Sequence, residues 1–389
     1  MKRVLVTGSS GQLGREVARQ LARDHEVLGL DLVPGPRTTH TGSVTDERLV
    51  RRLVGDVDAV VHCAALHAPQ VGRVPDAEFV AVNVEGTRHL LEAAAARHHR
   101  RFVYTSTTSV YGAAMEAADR AAWITEDVEP APRDIYDETK LGAEALCRRY
   151  ALERALPTLV LRISRMFPED AEKVAAYRLY RGVDPRDAAA AHRAALADRT
   201  LDFEILNVSA ESPFRREELV ELRRDAASVI VRHRPDVPAR FAAHGWRLPA
   251  EIDRVYVIEK ARRLLGWRPS HGLDALVRLP DRWLYHLCDA EEARPRADPY
   301  APSSLGVEGF VHCSYRPEVE ESARLYFPEG APLRVLRIDP RRLGVAVEEE
   351  ATPRGPMPHV FGPIRDAAVV ATLELDAFGS APDALGQST

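Results

Sequence analysis

Short apolar runs alternate with amphipathic helical patterns over the first two-thirds of the chain. Strands are predicted at residues 3–7, 26–31, 59–63, 101–106, 158–163 and 205–208. Helices are predicted at residues 12–24, 84–96, 136–154, 169–181, 217–233 and 259–265. Strands that alternate with helices form a parallel sheet covered on both faces. The pattern therefore predicts an α/β fold, a doubly wound parallel sheet with a small subdomain.

The pattern changes near residue 270, where it gives way to short strands between turns rich in proline and glycine. A chain of 389 residues exceeds the size of one ordinary hydrophobic core. We therefore expect a first domain at 1–270, a linker at 271–283 and a small α+β domain at 284–378. Residues 379–389 are small and polar, so we expect a disordered tail there.

Charge and cysteine content narrow the classes of function. Lys and Arg number 53 against 58 Asp and Glu, a net charge of −5, so bulk electrostatics does not favour nucleic acid as a partner. The sequence has no apolar stretch that could span a bilayer and no signal-peptide layout, so no membrane association is expected. No metal-type spacing relates the cysteines, which are expected to be reduced thiols in a cytoplasmic protein: Cys63, Cys147, Cys288 and Cys313.

A glycine-rich turn follows the first strand and opens the first helix. Glycines permit a tight turn and a close approach of the backbone to a pyrophosphate, whose charge then faces the N–H groups of the helix. The residues expected to hold a dinucleotide there are Gly8, Ser10, Gly11, Gln12, Leu13 and Gly14. Asp31 ends the second strand, where a carboxylate binds ribose hydroxyls and repels a 2′-phosphate. The sheet is therefore expected to be of the Rossmann type and to bind NAD, and Arg37 leaves NADP open.

A tyrosine and a lysine stand one helical turn apart in the third of these helices. Tyr136 and Lys140 share one helix face, and the ammonium group is expected to lower the pKa of the phenol. Such a tyrosine exchanges a proton with a carbinol oxygen while hydride moves to or from nicotinamide. Thr107 ends the fourth strand, where ligands bind to parallel sheets, and its hydroxyl is expected to hold the substrate oxygen.

These motifs together resemble one family. Residues 1–270 resemble the extended short-chain dehydrogenases/reductases, in the NAD-dependent epimerase/dehydratase group, through 7–14, Asp31, 62–65, 83–87, 107–112 and the Tyr136/Lys140 pair. The resemblance implies that Thr107 orients the substrate, that Tyr136 is the acid/base and that Lys140 assists it. It also implies a set of residues that contact or shape the cofactor site: Ser43, Val44, Ala64, Ala65 and Asn83. The family often has an acidic residue where this chain has Ser43.

Departures from the family pattern constrain the reaction. Thr108 and Ser109 replace the Asp-Glu pair of sugar-nucleotide 4,6-dehydratases, which argues against dehydration. The nucleotide-gripping insert after the fifth strand is missing, a layout that resembles uronate-dehydrogenase-like members. We therefore expect hydride transfer on a small polyhydroxylated substrate that His67, Thr108 and Ser109 face. Arg165 either anchors a substrate anion or forms a structural salt bridge.

Two other readings of the first domain stay open. A non-redox epimerase would keep its cofactor bound and return the hydride. An NAD-sensing protein would bind the cofactor without chemistry. The family resemblance also implies a homodimer formed through helices that flank the active site.

Residues 284–378 resemble the domain-of-unknown-function 952 family through 285–287, 308–314, 336–340 and 358–363. That family is similar in fold to ADP-ribosyltransferases and RNA 2′-phosphotransferases. A set of polar residues is expected to converge on one cleft: His286, His312, Ser314, Glu348 and His359. The domain is then a ligand-binding module or an ADP-ribosyl- or phosphotransferase, and the alternative is a packing or dimerisation module. No close ligand spacing supports a metal site.

Overall fold

A computed structural model describes residues 2–116, 119–277, 282–290, 299–375 and 378. The expected tail at 379–389 and residues 278–281 of the expected linker lie outside these ranges. The chain forms two compact units. The first comprises Met1–Met166, Tyr177–Arg234 and Pro249–His271, and the second comprises Phe167–Ala176, Pro235–Leu248 and Gly272–Thr389. Two short segments of the expected first domain, 167–176 and 235–248, thus group with the second unit.

The first unit is built on a parallel sheet. Its strands are β1 (Lys2–Thr7), β2 (His25–Asp31), β3 (His40–Thr41), β4 (Ala59–His62), β5 (Arg101–Thr107), β6 (Ala122–Ile124), β7 (Thr158–Ile163), β8 (Phe203–Val208) and β9 (Arg254–Tyr256). Seven of them pair in the order β3-β2-β1-β4-β5-β7-β8, every neighbouring pair being parallel. The short strands β6 and β9 form a separate parallel pair. The expected doubly wound parallel sheet is confirmed.

Helices follow most strands up to residue 277. They are α1 (Gln12–Leu21), α2 (Glu47–Gly55), α3 (Asp76–Phe79), α4 (Gly86–Ala96), α5 (Ile135–Arg154), α6 (Ala171–Tyr177), α7 (Pro185–Ala197), α8 (Leu219–Arg224), α9 (Ala226–His233), α10 (Val237–Ala243), α11 (Glu259–Leu265) and α12 (Leu273–Val277). A π-helical segment, Val80–Glu85, joins α3 to α4. Helices α1, α7 and α11 cover one face of the sheet, and α2, α4 and α5 cover the other.

Alternation along the strands divides the core of the first unit between the two faces of the sheet. In β1, Val4 and Val6 join the cluster under α1 and α7, whereas Leu5 joins the cluster under α2 and α4. Successive side chains of a strand point to opposite faces, so a strand buried on both faces is continuously apolar. This is why these strands stood out in the sequence as unbroken apolar runs.

Two of the predicted helices differ from the structure. The helix predicted at 217–233 is interrupted at Asp225, whose backbone has φ −153° and ψ 71°. Its carboxylate accepts hydrogen bonds from the amide and hydroxyl of Ser228 at 3.2 and 2.6 Å, and so caps α9. Aspartate favours this capping position over a helix interior, which explains the break. The polar helix predicted at 169–181 is shorter, Ala171–Tyr177.

The second unit contains two small antiparallel sheets. The strands are β10 (Leu284–Asp289), β11 (Val311–His312), β12 (Leu333–Ile338), β13 (Val347–Thr352), β14 (Gly355–Val360) and β15 (Val369–Glu374). They pair in the orders β10-β12-β15 and β11-β14-β13. Helices α13 (Ser303–Val307) and α14 (Val319–Tyr326) accompany them. The small α+β domain is confirmed. In the part of the chain that the structure describes, no helix is both long and apolar enough to cross a membrane.

Candidate active site

The glycine-rich turn between β1 and α1 is sterically restricted to glycine at two positions. Gly8 has φ +71°, and a Cβ there would lie 2.8 Å from the amide nitrogen of Ala64. A Cβ on Gly14 would lie 2.0 Å from the carbonyl oxygen of Gly8. Gly11 is the N-cap of α1, and among the described residues no side chain caps it. An anion can therefore approach the backbone of the turn closely, and the amides of the first turn of α1 can donate to it. Both features fit the pyrophosphate of a dinucleotide.

Asp31 lies directly beside this turn. Its carboxylate accepts hydrogen bonds from the amides of Ser10 at 2.9 Å and Val33 at 3.0 Å. The hydroxyl of Ser10 donates to the carbonyl of Val33 at 2.6 Å and lies 2.7 Å from the hydroxyl of Thr38. Ser10 thus ties the turn to the loop after β2 through both its amide and its side chain. Each carboxylate oxygen has a second lone pair that can accept from a ribose hydroxyl.

Ser43 and Val44, expected to contact the cofactor, interact with residues near them in the fold. The hydroxyl of Ser43 accepts from the amide of Thr45 at 3.1 Å. Val44 is buried in the core under α4, against Gly86, where an added Cβ would meet the valine side chain at 2.6 Å. The valine side chain therefore supports the fold at this position, and only its backbone remains for a cofactor contact.

Asn83 connects the segment after β4 to helix α5. Its amide oxygen accepts from the backbone N–H of Leu66 at 2.8 Å. Its amide nitrogen donates to the carbonyl of Leu66 and to the hydroxyl of Thr139, both at 3.1 Å. The asparagine is 1% exposed, so these bonds form away from water. Ala64 and Ala65, half-buried in the segment before Leu66, are thereby held in place.

Tyr136 and Thr107 meet at the carboxyl end of the sheet. Asp134 caps α5 through the amide of Asp137, which places Tyr136 in the first turn. The hydroxyl of Thr107 interacts with the phenol of Tyr136 and also accepts from the amide of Ser109 at 3.1 Å. Tyr136 is 6% exposed, and this burial raises the pKa of its phenol. The Thr107 hydroxyl lowers the pKa of the phenol but does not cancel that rise.

The position of Lys140 corrects one expectation. The helical spacing predicts that Lys140 lowers the pKa of Tyr136, but the charged groups that act on the phenol are Asp137 and Asp134, which raise its pKa. The Nζ atom of Lys140 donates to the carbonyl of Thr105 at 2.6 Å instead. Burial lowers the pKa of Lys140 to about 8. In this structure desolvation of the buried groups therefore outweighs the attraction between ammonium and phenolate.

The residues expected to face the substrate have unequal positions. The ring of His67 lies 6.2 Å from that of Tyr136, and although the residue retains accessible surface, its enclosure and Lys140 lower its pKa to about 4. Thr108 is buried, and the hydroxyl of Ser109 acts on the carboxyl of Asp137 to lower its pKa, although burial raises that pKa more. The half-buried Arg165 lies beside the ring of Tyr177, with 5.9 Å between guanidinium carbon and ring centroid.

A polar cleft of about 500 Å³ in the first unit was not anticipated from the sequence. Its walls come from separate segments of the chain, each without a motif of its own, so no local signal announced it. It is lined by Met115, Glu116, Tyr177, Tyr180, Arg181, Arg223, Glu251, Asp253 and Arg254. Arg133 links this cleft to helix α5, because its guanidinium lies 3.2 Å from Glu116 and its backbone amide donates to Asp137.

Comparison with known families identifies the first unit. Residues 4–208 match the model of the NAD dependent epimerase/dehydratase family, which is more than half of the chain. The chain belongs to this family. The matched residues include the glycine turn after β1, the end of β5 and helix α5, which carry Thr107, Tyr136 and Lys140.

Similarity to curated relatives covers less than half of this chain. The chain is 37% identical over 183 residues to the low-salt glycan biosynthesis protein Agl12 of Haloferax volcanii, covering 42% of this chain and 56% of the relative. It is 34% identical over 164 residues to GDP-6-deoxy-D-mannose reductase of Pseudomonas aeruginosa, covering 41% and 51%. The chain thus spans about half the length of the curated relatives that it matches.

Solved structures of low sequence identity share the fold. A short-chain dehydrogenase/reductase superfamily protein from Agrobacterium tumefaciens with bound NAD superposes with a TM-score of 0.54 at 24% identity, over 71% of this chain and 94% of that one. UDP-glucuronic acid 4-epimerase from Bacillus cereus, in complex with UDP-glucuronic acid and NAD, gives 0.52 at 21% identity, over 71% and 98%.

In the second unit, three of the expected cleft residues form one row across a sheet. His312 pairs with His359 between β11 and β14, and Glu348 pairs with His359 between β13 and β14. Residues directly opposite in antiparallel strands lie on the same face. The two imidazole centroids are 5.2 Å apart, and Phe310 stacks on His359 at 4.0 Å. Glu308 lies 3.0 Å from Nε2 of His312.

The other two expected cleft residues are held elsewhere. The ring of the buried His286 bonds the carbonyl of His312 at 2.7 Å and the hydroxyl of Tyr300 at 3.1 Å, and burial lowers its pKa to about 4. The hydroxyl of Ser314 lies 3.1 Å from that of Ser322. Residues 287–372 match the model described as protein of unknown function (DUF952), which confirms the expected resemblance.

Proposed function

We propose that the first unit transfers a hydride between nicotinamide and a carbinol or carbonyl carbon of a sugar-like substrate, with Tyr136 as acid/base. The observation that carries the proposal is the interaction of the Tyr136 phenol with the Thr107 hydroxyl at the carboxyl end of β5, which acts on the pKa of the phenol. The glycine turn after β1 opens at the same edge, because carboxyl ends of parallel strands share one side of a sheet.

The roles of the side chains follow from their protonation. Burial raises the pKa of Tyr136, so the phenol of the free protein carries its proton and can donate it to a carbonyl oxygen during reduction. Thr107 holds that oxygen beside the phenol. In the reverse direction the carbinol proton passes to Tyr136 as hydride leaves the carbon. Bound NAD supplies the hydride acceptor or donor.

The cleft supports a small substrate. Three arginines and three carboxylates line it, so its charges balance and leave no surplus positive charge for a diphosphate. Arg165 is then the anchor for a single substrate carboxylate. A free polyhydroxylated acid or sugar fits this balance better than a sugar nucleotide, on which several relatives act according to their names.

Turnover by the purified full chain tests the proposal. Nicotinamide absorbance is followed with NAD and NADP against free sugars, uronic acids and sugar nucleotides. We expect Tyr136→Phe to reduce turnover by about 10²–10⁴-fold and to change NAD affinity by less than about threefold. Tyr150→Phe, on the same helix but outside the site, is the matched control. Full activity of Tyr136→Phe would contradict the catalytic role of this tyrosine, whereas NAD binding without turnover of any of these compounds by the unaltered protein would favour an NAD-binding protein without this chemistry.

A non-redox epimerase is the second candidate, favoured by the fold shared with UDP-sugar 4-epimerases. It predicts NAD that co-purifies with the protein and an epimerised product without a net change in nicotinamide absorbance. A homodimer is proposed as well, because the helices that pack beside the site expose apolar side chains, Leu152 at 66% and Val80 at 41%. Sedimentation of the full chain would show a monomer if that proposal is wrong.

For the second unit we propose a ligand-binding face formed by the His312, His359 and Glu348 row. Two imidazoles beside a stacked phenylalanine offer hydrogen bonding together with a surface for a ring. Calorimetry of the full chain with ADP-ribose and with NAD tests it. His312→Ala and His359→Ala should each weaken ADP-ribose binding at least about tenfold, whereas Ser314→Ala, held outside the row, should not. Equal affinities in all four proteins would exclude this face.

A further inference from the structure

His62 is buried at the end of β4 and uses both ring nitrogens. Its Nδ1 lies 2.7 Å from the hydroxyl of Thr7, at the end of β1. Its Nε2 lies 3.0 Å from the hydroxyl of Thr87, on α4. The ring is 1% exposed and packs against Tyr104 at 5.7 Å between centroids. A polar ring so enclosed depends on these two partners, because no water replaces them.

Every hydrogen bond in this chain of contacts is donated in the same direction, toward Asn83. Thr87 donates its hydroxyl proton to the carbonyl of Asn83 at 2.6 Å, so it accepts from His62 at Nε2. The hydroxyl of Thr7 accepts from the amide of Ala64 at 3.2 Å, so its own proton goes to Nδ1. His62 is therefore the neutral Nε2–H tautomer. Burial and Lys140 lower its pKa to about 3, which keeps it neutral.

These hydrogen bonds form a relay that runs from Ala64 through Thr7, His62 and Thr87 to Asn83. Each end of the relay reaches part of the proposed active site. Ala64, at one end, abuts the glycine turn, where a Cβ on Gly8 would lie 2.8 Å from its nitrogen. Asn83, at the other end, donates its side-chain amide to Thr139, which immediately precedes Lys140 on α5. Its side chain also bonds the backbone of Leu66 on both sides. The relay thus runs from the cofactor-binding turn to the helix that carries Tyr136.

We propose that His62 is a positioning residue that couples the cofactor-binding turn to the catalytic helix through Thr7 and Thr87. The coupling to catalysis rests on the proposed function, whereas the coupling within the cofactor site does not. His62 is not expected to exchange a proton with substrate. Its effect is mechanical, since a directional chain of buried hydrogen bonds admits one arrangement of its members.

A double-mutant cycle on NAD binding tests this coupling. Thr7→Val and Thr87→Val remove the two hydroxyls at nearly constant volume, and calorimetry on the full chain gives the NAD dissociation constant of each protein. We expect each single substitution to raise the NAD dissociation constant by about threefold or more. The increase in the double variant should be smaller, by at least about threefold, than the product of the two single increases. In a His62→Phe background the two effects should multiply. Thr158→Val is the control, because Thr158 is a buried threonine that donates to the carbonyl of Leu156 and lies outside the relay. Its effect on the NAD dissociation constant should multiply with that of Thr7→Val.

Two further measurements keep the proposal falsifiable if His62→Phe fails to fold. His62→Gln offers one acceptor and one donor and should retain part of the coupling between Thr7 and Thr87. The ¹⁵N shifts of the His62 ring in the unaltered protein should report the neutral Nε2–H tautomer. Multiplicative effects of Thr7→Val and Thr87→Val, or an Nδ1–H tautomer, would overturn the proposal. Loss of the proposed turnover activity alone would not, because the readout is NAD affinity.

Discussion

Lys140 carries a buried charge that the fold tolerates at a cost. Its Nζ bonds the carbonyl of Thr105 at 2.6 Å and lies 4.5 Å from the centroid of the Tyr104 ring. Burial lowers its pKa from 10.5 to about 8. At 1.36 kcal/mol per pKa unit, this difference corresponds to about 3 kcal/mol of destabilisation of the charged form in the folded state.

We therefore predict that Lys140→Met increases stability while it abolishes turnover. Methionine has a similar length and no charge, so the substitution removes the cost of about 3 kcal/mol. It also leaves the carbonyl of Thr105 without this donor, which costs about 1–1.5 kcal/mol. The free energy of unfolding at neutral pH should consequently rise by about 1–2 kcal/mol. A gain in stability with a loss of turnover is the trade-off expected for a residue with the proposed role of Lys140.

The pH dependence of this effect follows from the direction of the pKa shift. The folded protein loses the Lys140 proton near pH 8, whereas the unfolded chain keeps it until about pH 10.5. Between these values the unfolded state binds more protons, so the stability of the unaltered protein rises with pH. The advantage of Lys140→Met is therefore complete below pH 8 and shrinks as the pH increases toward 10.5.

Urea-induced unfolding at about pH 7 and about pH 9.5 measures both quantities. Lys173→Met is the matched control, because the side chain of Lys173 is 56% exposed and pairs with surface carboxylates. That control should change stability by less than about 0.5 kcal/mol at either pH. A Lys140→Met protein that is less stable at neutral pH, or a difference that does not vary with pH, would refute the reasoning.

Three other substitutions have defined outcomes. Gly8→Ala, at φ +71° and against the segment after β4, should lose more than about tenfold in NAD affinity and about 1–3 kcal/mol in stability, and calorimetry that finds unchanged affinity would contradict this. Glu144→Ala leaves Arg162 unpaired where the two side chains are 5% and 4% exposed, so urea unfolding should show a loss of about 3–5 kcal/mol, and less than about 1 kcal/mol would be inconsistent. Asp31→Asn removes the charge that disfavours a 2′-phosphate, so the ratio of NADP to NAD affinity should rise about tenfold, and an unchanged ratio would reject that role.

The sequence by itself determined the sheet, the glycine turn and the pair on α5. Strands such as β1 are buried on both faces, so their apolar runs are legible without knowledge of their neighbours. Gly8 and Gly14 are constrained by backbone atoms of the turn and of the segment beside it. The two glycines lie in one short stretch of sequence, so the motif can be recognised there. Signals of this kind are local, so they can be recognised from the sequence alone.

Tertiary structure alone decided how the site is charged and what surrounds it. The four-residue spacing of Tyr136 and Lys140 predicted a lowered phenol pKa, but burial by distant residues raises it. The cleft is assembled from segments between residues 115 and 254, and His62 meets Thr7 and Thr87 only because three elements pack together. Desolvation and hydrogen-bond partnership depend on atoms brought together by folding from far along the chain. No periodicity or spacing in the sequence encodes them directly.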